Sequence, residues 1–416
     1  MQIVLLDEQR FDEFAINHPY SNFYQSSKYG KLMTKHGYNS YYIGLVDDSN
    51  QIKAATLIIV KNDRFNKRKM GYAPRGFLID WDDDELVKEF TTKIKDFLSK
   101  RNFTYLKVDP KVIYKKHNTD GSDRTDYEQN NEFVKKIQKL GYVHMGYNNG
   151  LETNKPRWDS ITKLSNNSIA LFNSISKEAR NKINQASNSG TKIYRGSSSD
   201  INLLFETINK ENPPIDYYYD LYQFLGVDDG FDIYFARIEP AIFVNSSKLQ
   251  YEKEESINNE LNMQIQSYNV PNKEQIMNEK LKSDERLSTY KKNMVDAINL
   301  FQKNPNGIIV SAVAVIKYGK KITFFTSGIK EEYKNIFPEY LLDWQIMQEL
   351  GKQGYEWADF NGMTGSFNKE YNNTLEQELA SDIVEYVGEF DLVINKKQYY
   401  TGNKLDPIIN WLNTPI

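Results

Sequence analysis

Two stretches of this sequence concentrate positive charge of the kind that binds phosphate groups. The first contains Lys61, Arg64, Lys67, Arg68 and Lys69, and the second contains Lys155, Arg157, Lys177, Arg180, Lys182, Lys192 and Arg195. Basic clusters usually form only a solvated face, but an enzyme that handles RNA or a diphosphate needs such local charge. The pattern alone therefore indicates an anion site only weakly.

Histidine and cysteine, which commonly bind metals or act in covalent catalysis, are scarce in this sequence. The four histidines, His18, His36, His117 and His144, show no ligand spacing. The chain has no cysteine, which excludes a disulfide scaffold, thiolate ligands and a cysteine nucleophile. The acidic run at 80–85 precedes a predicted helix, so helix capping is favoured over metal binding. With no Gly-x-x-x-x-Gly-Lys-Ser/Thr, Gly-x-Gly-x-x-Gly or His-Glu-x-x-His motif, we expect neither a metal nor a cofactor.

Length and composition describe a globular protein of more than one domain. The 416 residues suggest two or three domains, and 29 Tyr, 22 Phe and 5 Trp can build sizeable cores. The net charge of −3 argues against a bulk nucleic-acid binder. The N-terminus lacks a basic region, and no apolar run approaches the roughly 20 residues of a membrane span. We therefore expect a cytoplasmic protein.

Strand and helix patterns alternate along two parts of the chain. In residues 1–150, strands are predicted at 41–46, 54–60, 70–73 and 103–108, with helices at 86–97 and 128–140. In residues 151–245 and 305–416, strands are predicted at 160–164, 191–195, 232–238, 308–317, 321–326 and 357–361. Helices are predicted there at 169–187, 200–211, 216–225 and 338–353. The sequence thus predicts two mixed α/β lobes.

Residues 246–304 interrupt the second lobe with a charged helical pattern. Ile257, Leu261, Ile265 and Tyr268 recur at helical spacing, as do Tyr290, Met294, Ile298 and Phe301 on the other side of a turn at 269–272. The segment is predicted to form an antiparallel helical hairpin of roughly 45 Å. Such an arm either adds a solvated extension or contacts RNA or a protein partner.

Seven short strings recur in this order in a known family. They are PYSNFYQS (19–26), RGFLID (75–80), KVDP (107–110), PRW (156–158), RNKI (180–183), DFNG (359–362) and YVGEF (386–390). From near residue 10 to about 400, the chain resembles the FemABX family of aminoacyl-tRNA-dependent transferases, which build interpeptide bridges of Gram-positive peptidoglycan. The resemblance includes the helical hairpin, which in the family is similar to the arm of a seryl-tRNA synthetase. It implies an α/β fold of two GNAT-like lobes, with the hairpin projecting from the second and the C-terminal part of residues 305–416 returning to the first.

The resemblance also implies a reaction and its partners. An amine of the stem peptide of lipid II or a UDP-linked muropeptide would attack the ester carbonyl of an aminoacyl-tRNA. Contact with the inner membrane face and a homo- or heterodimer with related transferases are further expectations. Because a lysine-like amine has a pKa of about 10.4, its deprotonation near pH 7 costs about 4.6 kcal/mol unless the site assists. A proton acceptor and an oxyanion-stabilising cation are therefore the groups to find.

Family motifs assign candidate residues to these roles. Asp109, at the end of a predicted strand, would receive or orient the proton, although a turn-capping role fits equally well. Lys31 matches a family lysine that contacts the diphosphate, with Met33 as the alternative match, and Tyr217 matches a substrate-contacting tyrosine. Arg75 and Arg157 lie within two of the shared strings and are further substrate-binding candidates. Pro213 replaces an arginine of some members, which puts that route of UDP-phosphate binding in doubt.

The family's catalytic Phe-Lys pair is altered here. One alignment matches it to Phe367-Asn368-Lys369, which keeps the Phe, and the Tyr and Asn that follow, but moves the lysine by one position. The other, free of gaps, places Leu375 and Glu376 there and leaves no cation. On the first alignment Phe367 and Lys369 are the catalytic candidates, with an ordinary surface lysine as the alternative for Lys369. A catalytically weakened relative that binds muropeptide or a partner transferase is therefore the alternative function.

Overall fold

The body of the protein consists of two β-sheets with helices packed around them. The computed structural model describes residues 1–61, 69–150, 155–208, 213–226, 229–267, 272–367 and 374–401. Its strands are β1 (Gln2–Leu5), β2 (Tyr38–Val46), β3 (Ile52–Lys61), β4 (Lys69–Ala73), β5 (Phe103–Val108), β6 (Ile113–His117), β7 (Tyr142–His144), β8 (Trp158–Lys163), β9 (Thr191–Arg195), β10 (Phe231–Ile238), β11 (Ile308–Tyr318), β12 (Lys321–Ile329), β13 (Trp357–Asp359), β14 (Asp382–Tyr386) and β15 (Phe390–Val393).

The helices surround both sheets and form the arm. They are α1 (Glu8–Asn17), α2 (Ser27–Lys35), α3 (Asp84–Ser99), α4 (Asn131–Lys139), α5 (Ser168–Ser174), α6 (Lys177–Asn188), α7 (Ile201–Ile208), α8 (Ile215–Leu225), α9 (Pro240–Gln266), α10 (Lys273–Lys303), α11 (Pro338–Lys352), α12 (Thr374–Leu379) and α13 (Lys396–Thr401). Among the described helices, none combines the length and the apolar composition that crossing a bilayer requires.

The two sheets exchange strands. The first has seven strands in the order β1-β2-β3-β4-β5-β15-β7, and the second has eight in the order β6-β14-β8-β13-β12-β11-β10-β9. Strand β6, which follows the first lobe's β5 along the chain, pairs with β14 in the second sheet. Strand β15, from the last part of the chain, pairs with β5 and β7 in the first sheet. The loop that joins β5 to β6 therefore crosses between the sheets.

Helix α3 shows how local sequence determines an element. The Asp83 side chain accepts a hydrogen bond from the Leu86 N–H, which confirms the capping interpretation of the acidic run. The predicted apolar face was Leu86, Phe90, Ile94 and Phe97. The structure buries Val87, Phe90, Ile94 and Leu98 instead, with Leu86 and Phe97 only half-buried. The buried face is rotated slightly from the predicted one, because packing against the core of the first sheet determines which side chains of the helix are covered.

The single helix predicted over residues 169–187 is wrong. The chain forms α5 and α6 with a break at Ile175 and Ser176. Ser176 has extended backbone angles, and its side chain accepts the Ala179 N–H at 3.0 Å, which begins a new helix. Serine is also common within helices, so apolar spacing alone does not reveal this cap.

The arm consists of α9 and α10, of 27 and 31 residues, which pack against each other. It begins at Pro240, earlier than predicted, because proline is well suited to the first helical turn. Its seam is more polar than predicted. Glu254, Asn258 and Ser283 are buried, whereas Ile257 is half-buried and Ile298 is exposed. The Ser283 hydroxyl donates to Glu254 Oε1 at 2.6 Å and accepts from Asn258 Nδ2 at 3.1 Å, a pairing that fixes the register of the hairpin.

A shared hydrophobic core holds the two sheets together. It combines side chains of the first sheet, such as Leu57 and Ile59, with Ala312 and Ala314 of the second. Helices α1, α2, α7 and α8 contribute to the same cluster. The polar groups described next lie where the two sheets meet, and two of them come from the β5–β6 loop region.

Candidate active site between the two sheets

Asp109 lies directly after β5 and is 2% exposed. Its Oδ1 accepts the Arg75 main-chain N–H at 2.6 Å, and its Oδ2 accepts the Tyr72 hydroxyl at 2.9 Å. Arg75 has a φ of 53°, a left-handed conformation that side-chain-bearing residues seldom adopt without support. Burial raises the pKa of Asp109 to about 6, against the opposing effect of the Arg75 guanidinium. Asp109 thus holds the turn that presents Arg75.

The Arg75 side chain extends from this turn toward the second lobe. Its Nη1 lies 3.9 Å from Asp109 Oδ2, and its Nη2 donates to the Pro156 carbonyl at 2.8 Å. The guanidinium carbon lies 5.2 Å from the centre of the Tyr386 ring. Arg75 Nε is buried and has no hydrogen-bond partner among the described residues. Arg75 is thus a buried cation with donor capacity available to a ligand.

The first pocket, here called the Asp109 pocket, has an empty volume of about 270 Å³. Its described lining is Arg75, Asp109, Pro110, Gly146, Asn148, Lys155, Arg157, Tyr386, Gly388 and Glu389. Arg157 pairs with Glu385 and donates from Nε to the Asn148 carbonyl at 2.8 Å. Burial and the nearby Arg75 hold the pKa of Lys155 well below its usual value. The pocket thus brings together Asp109, Arg75 and Arg157, three of the candidates from sequence.

The second pocket, here called the Asp159 pocket, has an empty volume of about 430 Å³. The Lys111 ammonium contacts Asp159 Oδ2 at 3.4 Å and also pairs with Asp359. Burial and then the charge of Asp359 raise the pKa of Asp159 to about 7, although Lys111 opposes the shift. Near neutral pH this pair therefore exchanges one proton.

Further polar groups of the Asp159 pocket lack strong partners. Lys321 Nζ donates to the Ser21 carbonyl at 3.0 Å, and burial, with Lys111 nearby, lowers its pKa to about 8. Asn22 Oδ1 and the Tyr318 hydroxyl are buried without a hydrogen-bond partner among the described residues. Because buried polar atoms are nearly always satisfied, these groups indicate that the pocket receives a polar ligand or water.

Two sequence candidates lie outside both pockets. The side chain of Lys31, on α2, is 47% exposed, and its Nζ lies 2.6 Å from Glu8 Oε2. Tyr217, on α8, is 4% exposed within the shared core, and its ring centre lies 6.4 Å from that of Phe325. Neither residue is among the described lining of the pockets. Their substrate-binding roles stay predictions that this geometry does not support.

Phe367 also lies away from the pockets. Its ring centre is 5.8 Å from that of Trp158 and 6.5 Å from that of His117. Trp158 and Asp159 are consecutive in β8, so their side chains point to opposite faces of the sheet. Lys369 lies outside the described residues, and Leu375 and Glu376 of the other alignment lie in α12. The catalytic role of Phe367 and Lys369 stays a prediction.

Several basic side chains of the second basic stretch form ion pairs within the protein. Lys182 pairs with Glu378 at 2.7 Å, and Arg195 pairs with Asp229 and Asp232. Lys177 and Lys192 are exposed. Three residues of the first stretch, Arg64, Lys67 and Arg68, lie outside the described residues. The second stretch therefore offers less surface charge to RNA than its sequence suggests.

Sequence reasoning missed the groups that define the Asp159 pocket, although three of them adjoin the shared strings. Lys111 follows KVDP, Asp159 follows PRW, and Asp359 begins DFNG. Lys321 has no such signal. Chemically, the site offers carboxyl groups that titrate near neutrality next to buried cations, which suits proton removal from an amine and stabilisation of an oxyanion. Among the described residues, no group of three or more histidine or carboxylate side chains is arranged to hold a metal ion.

Comparisons with known proteins cover nearly the whole chain. A family model described as the FemAB family matches residues 6–406. The lipid II:glycine glycyltransferase of Staphylococcus epidermidis is 22% identical over 420 residues, covering 98% of this chain and 96% of the relative. The aminoacyltransferase FemA of the same species is 24% identical over 424 residues, covering 96% and 97%. The crystal structure of FemX superposes with a TM-score of 0.72 at 18% identity, covering 96% of this chain and 99% of that one, which confirms the mixed α/β fold.

Proposed function

Because this chain belongs to the FemAB family, we propose that it transfers an amino acid from an aminoacyl-tRNA to the stem-peptide amine of a peptidoglycan precursor. In this reaction the amine nitrogen forms a bond to the ester carbonyl carbon, and the bond from that carbon to the ribose oxygen breaks. The products are an amide and a free tRNA hydroxyl. Of the two protons that the original ammonium loses, one goes to that hydroxyl and the other is released. The activities for which two relatives are named, a lipid II:glycine glycyltransferase and an aminoacyltransferase, support this assignment.

The observation that carries the proposal is the pair of pockets that share Arg75. Each pocket combines an aspartate whose pKa is raised toward neutrality with buried cations. An acyl donor that is already an ester needs no further activation, so its transfer requires mainly a proton acceptor and stabilisation of the tetrahedral oxyanion. Both requirements match the groups that converge between the sheets.

Partners follow from the same proposal. The acceptor would be lipid II or a UDP-linked muropeptide, and the donor a charged tRNA. The arm of α9 and α10 extends roughly 45 Å at 1.5 Å per residue, long enough to reach along a bound tRNA or a partner transferase. Peripheral contact with the inner membrane face would bring the site to a lipid-linked acceptor.

A reconstituted transfer assay tests the proposal. The purified protein is incubated with lipid II, a tRNA pool, the matching synthetases and one amino acid at a time, and the muropeptide is analysed by mass spectrometry. We expect one defined mass increase that disappears after RNase treatment. An increase that survives RNase would contradict the tRNA dependence, and no increase with any amino acid or acceptor would contradict the transfer itself.

One observation favours a second candidate function. Phe367, the part of the altered Phe-Lys motif that the structure describes, packs on Trp158 rather than lining either pocket. A protein with a displaced motif could bind muropeptide, or pair with an active transferase, without catalysing transfer. Measurable muropeptide binding together with no transfer in the assay above would support this alternative.

A further inference from the structure

The basic side chains of the Asp159 pocket outnumber its carboxyl groups. The charged residues of its described lining are Arg75, Lys111, Lys321, Asp159 and Asp359. Lys111 contacts both carboxyl groups, and the Arg75 guanidinium lies 3.9 Å from Asp109 of the neighbouring pocket. Lys321 is therefore the one basic side chain of this lining that has no carboxylate partner among the described residues.

Lys321 belongs to a hairpin whose end packs against the first lobe. It begins β12 and pairs in register with Tyr318, the last residue of β11, so the two side chains lie on the same face of the sheet. Between them, a Cβ at Gly319 would lie 3.2 Å from the Ile16 carbonyl oxygen. Lys321 Nζ donates to the Ser21 carbonyl at 3.0 Å. The ammonium group is thus held where the two lobes meet.

Two further polar atoms of the lining are buried without a hydrogen-bond partner among the described residues. They are the Tyr318 hydroxyl and Asn22 Oδ1. Asn22 is 8% exposed, and its Nδ2 donates to the carbonyls of Tyr20, at 2.9 Å, and Arg75, at 3.3 Å. The amide oxygen is therefore the end of Asn22 that lacks a partner. Because buried polar atoms are nearly always satisfied, the pocket offers an ammonium and a hydroxyl as donors and an amide oxygen as an acceptor.

This set of donors and acceptors matches the end of a peptide. A C-terminal carboxylate accepts hydrogen bonds from an ammonium and a hydroxyl, and the last amide N–H of the same peptide donates to a carbonyl oxygen. The carboxylate also supplies the negative charge that Lys321 lacks. An RNA phosphodiester carries the same charge but continues into a nucleoside on each side, whereas a peptide end can enter a pocket of about 430 Å³ without a continuing chain.

Resting on the proposed function, we propose that the Asp159 pocket binds the C-terminal carboxylate of the acceptor stem peptide. Lys321 and Tyr318 donate to the carboxylate, and Asn22 Oδ1 accepts the neighbouring amide N–H. Holding the end of the peptide fixes the number of residues between that end and the amine that reacts. Lys321 is therefore a specificity-determining residue and takes no part in the bond changes.

Binding to the wild-type chain tests the proposal without a variant. An N-acetylmuramyl pentapeptide with a free C-terminal carboxylate, and the same pentapeptide as its C-terminal carboxamide, are titrated by calorimetry at pH 7. Because the pKa of Lys321 is about 8, its ammonium is largely protonated at that pH. We expect the carboxamide to bind at least about tenfold more weakly, as for loss of a charge-assisted hydrogen bond. Equal affinity of the two forms, or binding of neither, would overturn the proposal.

Lys321→Met assigns the difference to one side chain, and Lys320→Met is its matched control. The Lys320 side chain is 69% exposed, lies 3.8 Å from Glu356 and is outside the described lining of both pockets. Each variant loses one lysine charge from the same hairpin. The control should keep the preference for the free carboxylate, whereas Lys321→Met should bind the two forms within about twofold of each other. A folded Lys321→Met that keeps the tenfold preference would overturn the proposal.

An RNA titration and the transfer assay separate the remaining explanations. A single-stranded RNA with the 3′ end of a tRNA is titrated into the wild type and Lys321→Met, and we expect equal affinities. A loss of RNA affinity in the variant, with its preference for the free carboxylate unchanged, would assign Lys321 to an RNA phosphate and overturn the proposal. A chain that prefers the free carboxylate through Lys321 but transfers no amino acid would contradict the proposed function alone. Transfer without any carboxylate preference would contradict this inference alone.

Discussion

The two pockets use buried aspartates in different ways. In the Asp109 pocket one carboxylate takes hydrogen bonds from its own lobe and holds the turn at Arg75. In the Asp159 pocket two carboxyl groups share the Lys111 ammonium. Both oxygens of Asp109 are hydrogen-bonded within one lobe, whereas Asp159 shares one ammonium group with a second carboxyl group. Similar burial thus supports positioning in one pocket and proton exchange in the other.

The pockets are also physically connected. Arg75 lines both, and its guanidinium and the Lys111 ammonium lie 5.2 and 5.4 Å from the centre of the Tyr386 ring. The Tyr386 hydroxyl donates to Asp159. A change of charge in one pocket therefore alters the electrostatic field in the other. The effects of variants in the two pockets must be compared with each other rather than interpreted separately.

Loss of Lys111, which contacts both carboxyl groups of the Asp159 pocket, should have the largest effect on stability. Lys111→Met leaves Asp159 and Asp359 without the ammonium that contacts both of them. We expect a loss of about 3–5 kcal/mol in the free energy of unfolding at pH 8, measured by urea denaturation. The loss should be smaller at pH 5, where Asp159 is protonated and only Asp359 still needs a counter-charge.

Lys111→Arg is the control for this variant, since it keeps the positive charge. We expect it to retain most of the stability at pH 8, because a guanidinium can also bridge two carboxylates. An equal loss for Lys111→Met at pH 5 and pH 8 would show that Lys111 stabilises the fold by packing rather than by charge.

The architecture could be predicted from the sequence because its signals are local. Strand alternation, helical spacing and caps predicted the mixed α/β fold and the inserted hairpin, and the likeness to FemX confirms that fold. The ordered strings predicted the family, which the family model confirms, and the named relatives confirm a transferase. The pairing of β6 with the second sheet was not predicted, because strand pairing joins residues far apart in the chain.

The candidate site could be predicted only in part, because its contacts also join residues far apart in the chain. Asp109, Arg75 and Arg157 lie in shared strings, and the structure brings them to one pocket. The contacts of Lys111 join residues 48 and 248 positions apart, so no spacing rule relates them. Burial, which shifts the Asp159 pKa, is a property of the assembled sheets rather than of the residues beside it in sequence.

Loss of the Asp109 carboxylate should have an intermediate effect. Asp109→Ala leaves the Arg75 N–H and the Tyr72 hydroxyl buried without their acceptor, and we expect a loss of about 2–3 kcal/mol in unfolding free energy. Amide hydrogen exchange at Arg75 should become faster, because its main-chain donor is released. Asp109→Asn keeps one carbonyl acceptor and should lose less. Unchanged exchange at Arg75 in the alanine variant would show that Asp109 does not hold the turn.

The smallest effect, and the most specific to the comparison, is the pH dependence of stability. An acid whose pKa is higher in the folded than in the unfolded protein binds more protons when folded, so its contribution to stability falls as pH rises toward the folded pKa. That decline should end near pH 6 for Asp109 and near pH 7 for Asp159.

Subtracting the unfolding free energies of Asp109→Asn and Asp159→Asn from that of the wild type at each pH isolates the two groups from every other titrating residue. Between pH 6 and 7 we expect the Asp159→Asn difference still to move in the variant's favour, by at most about 1.4 kcal/mol per pH unit, while the Asp109→Asn difference is flat. Two differences that flatten at the same pH would mean that the pockets titrate as one unit, and the distinction between positioning and proton exchange would fail.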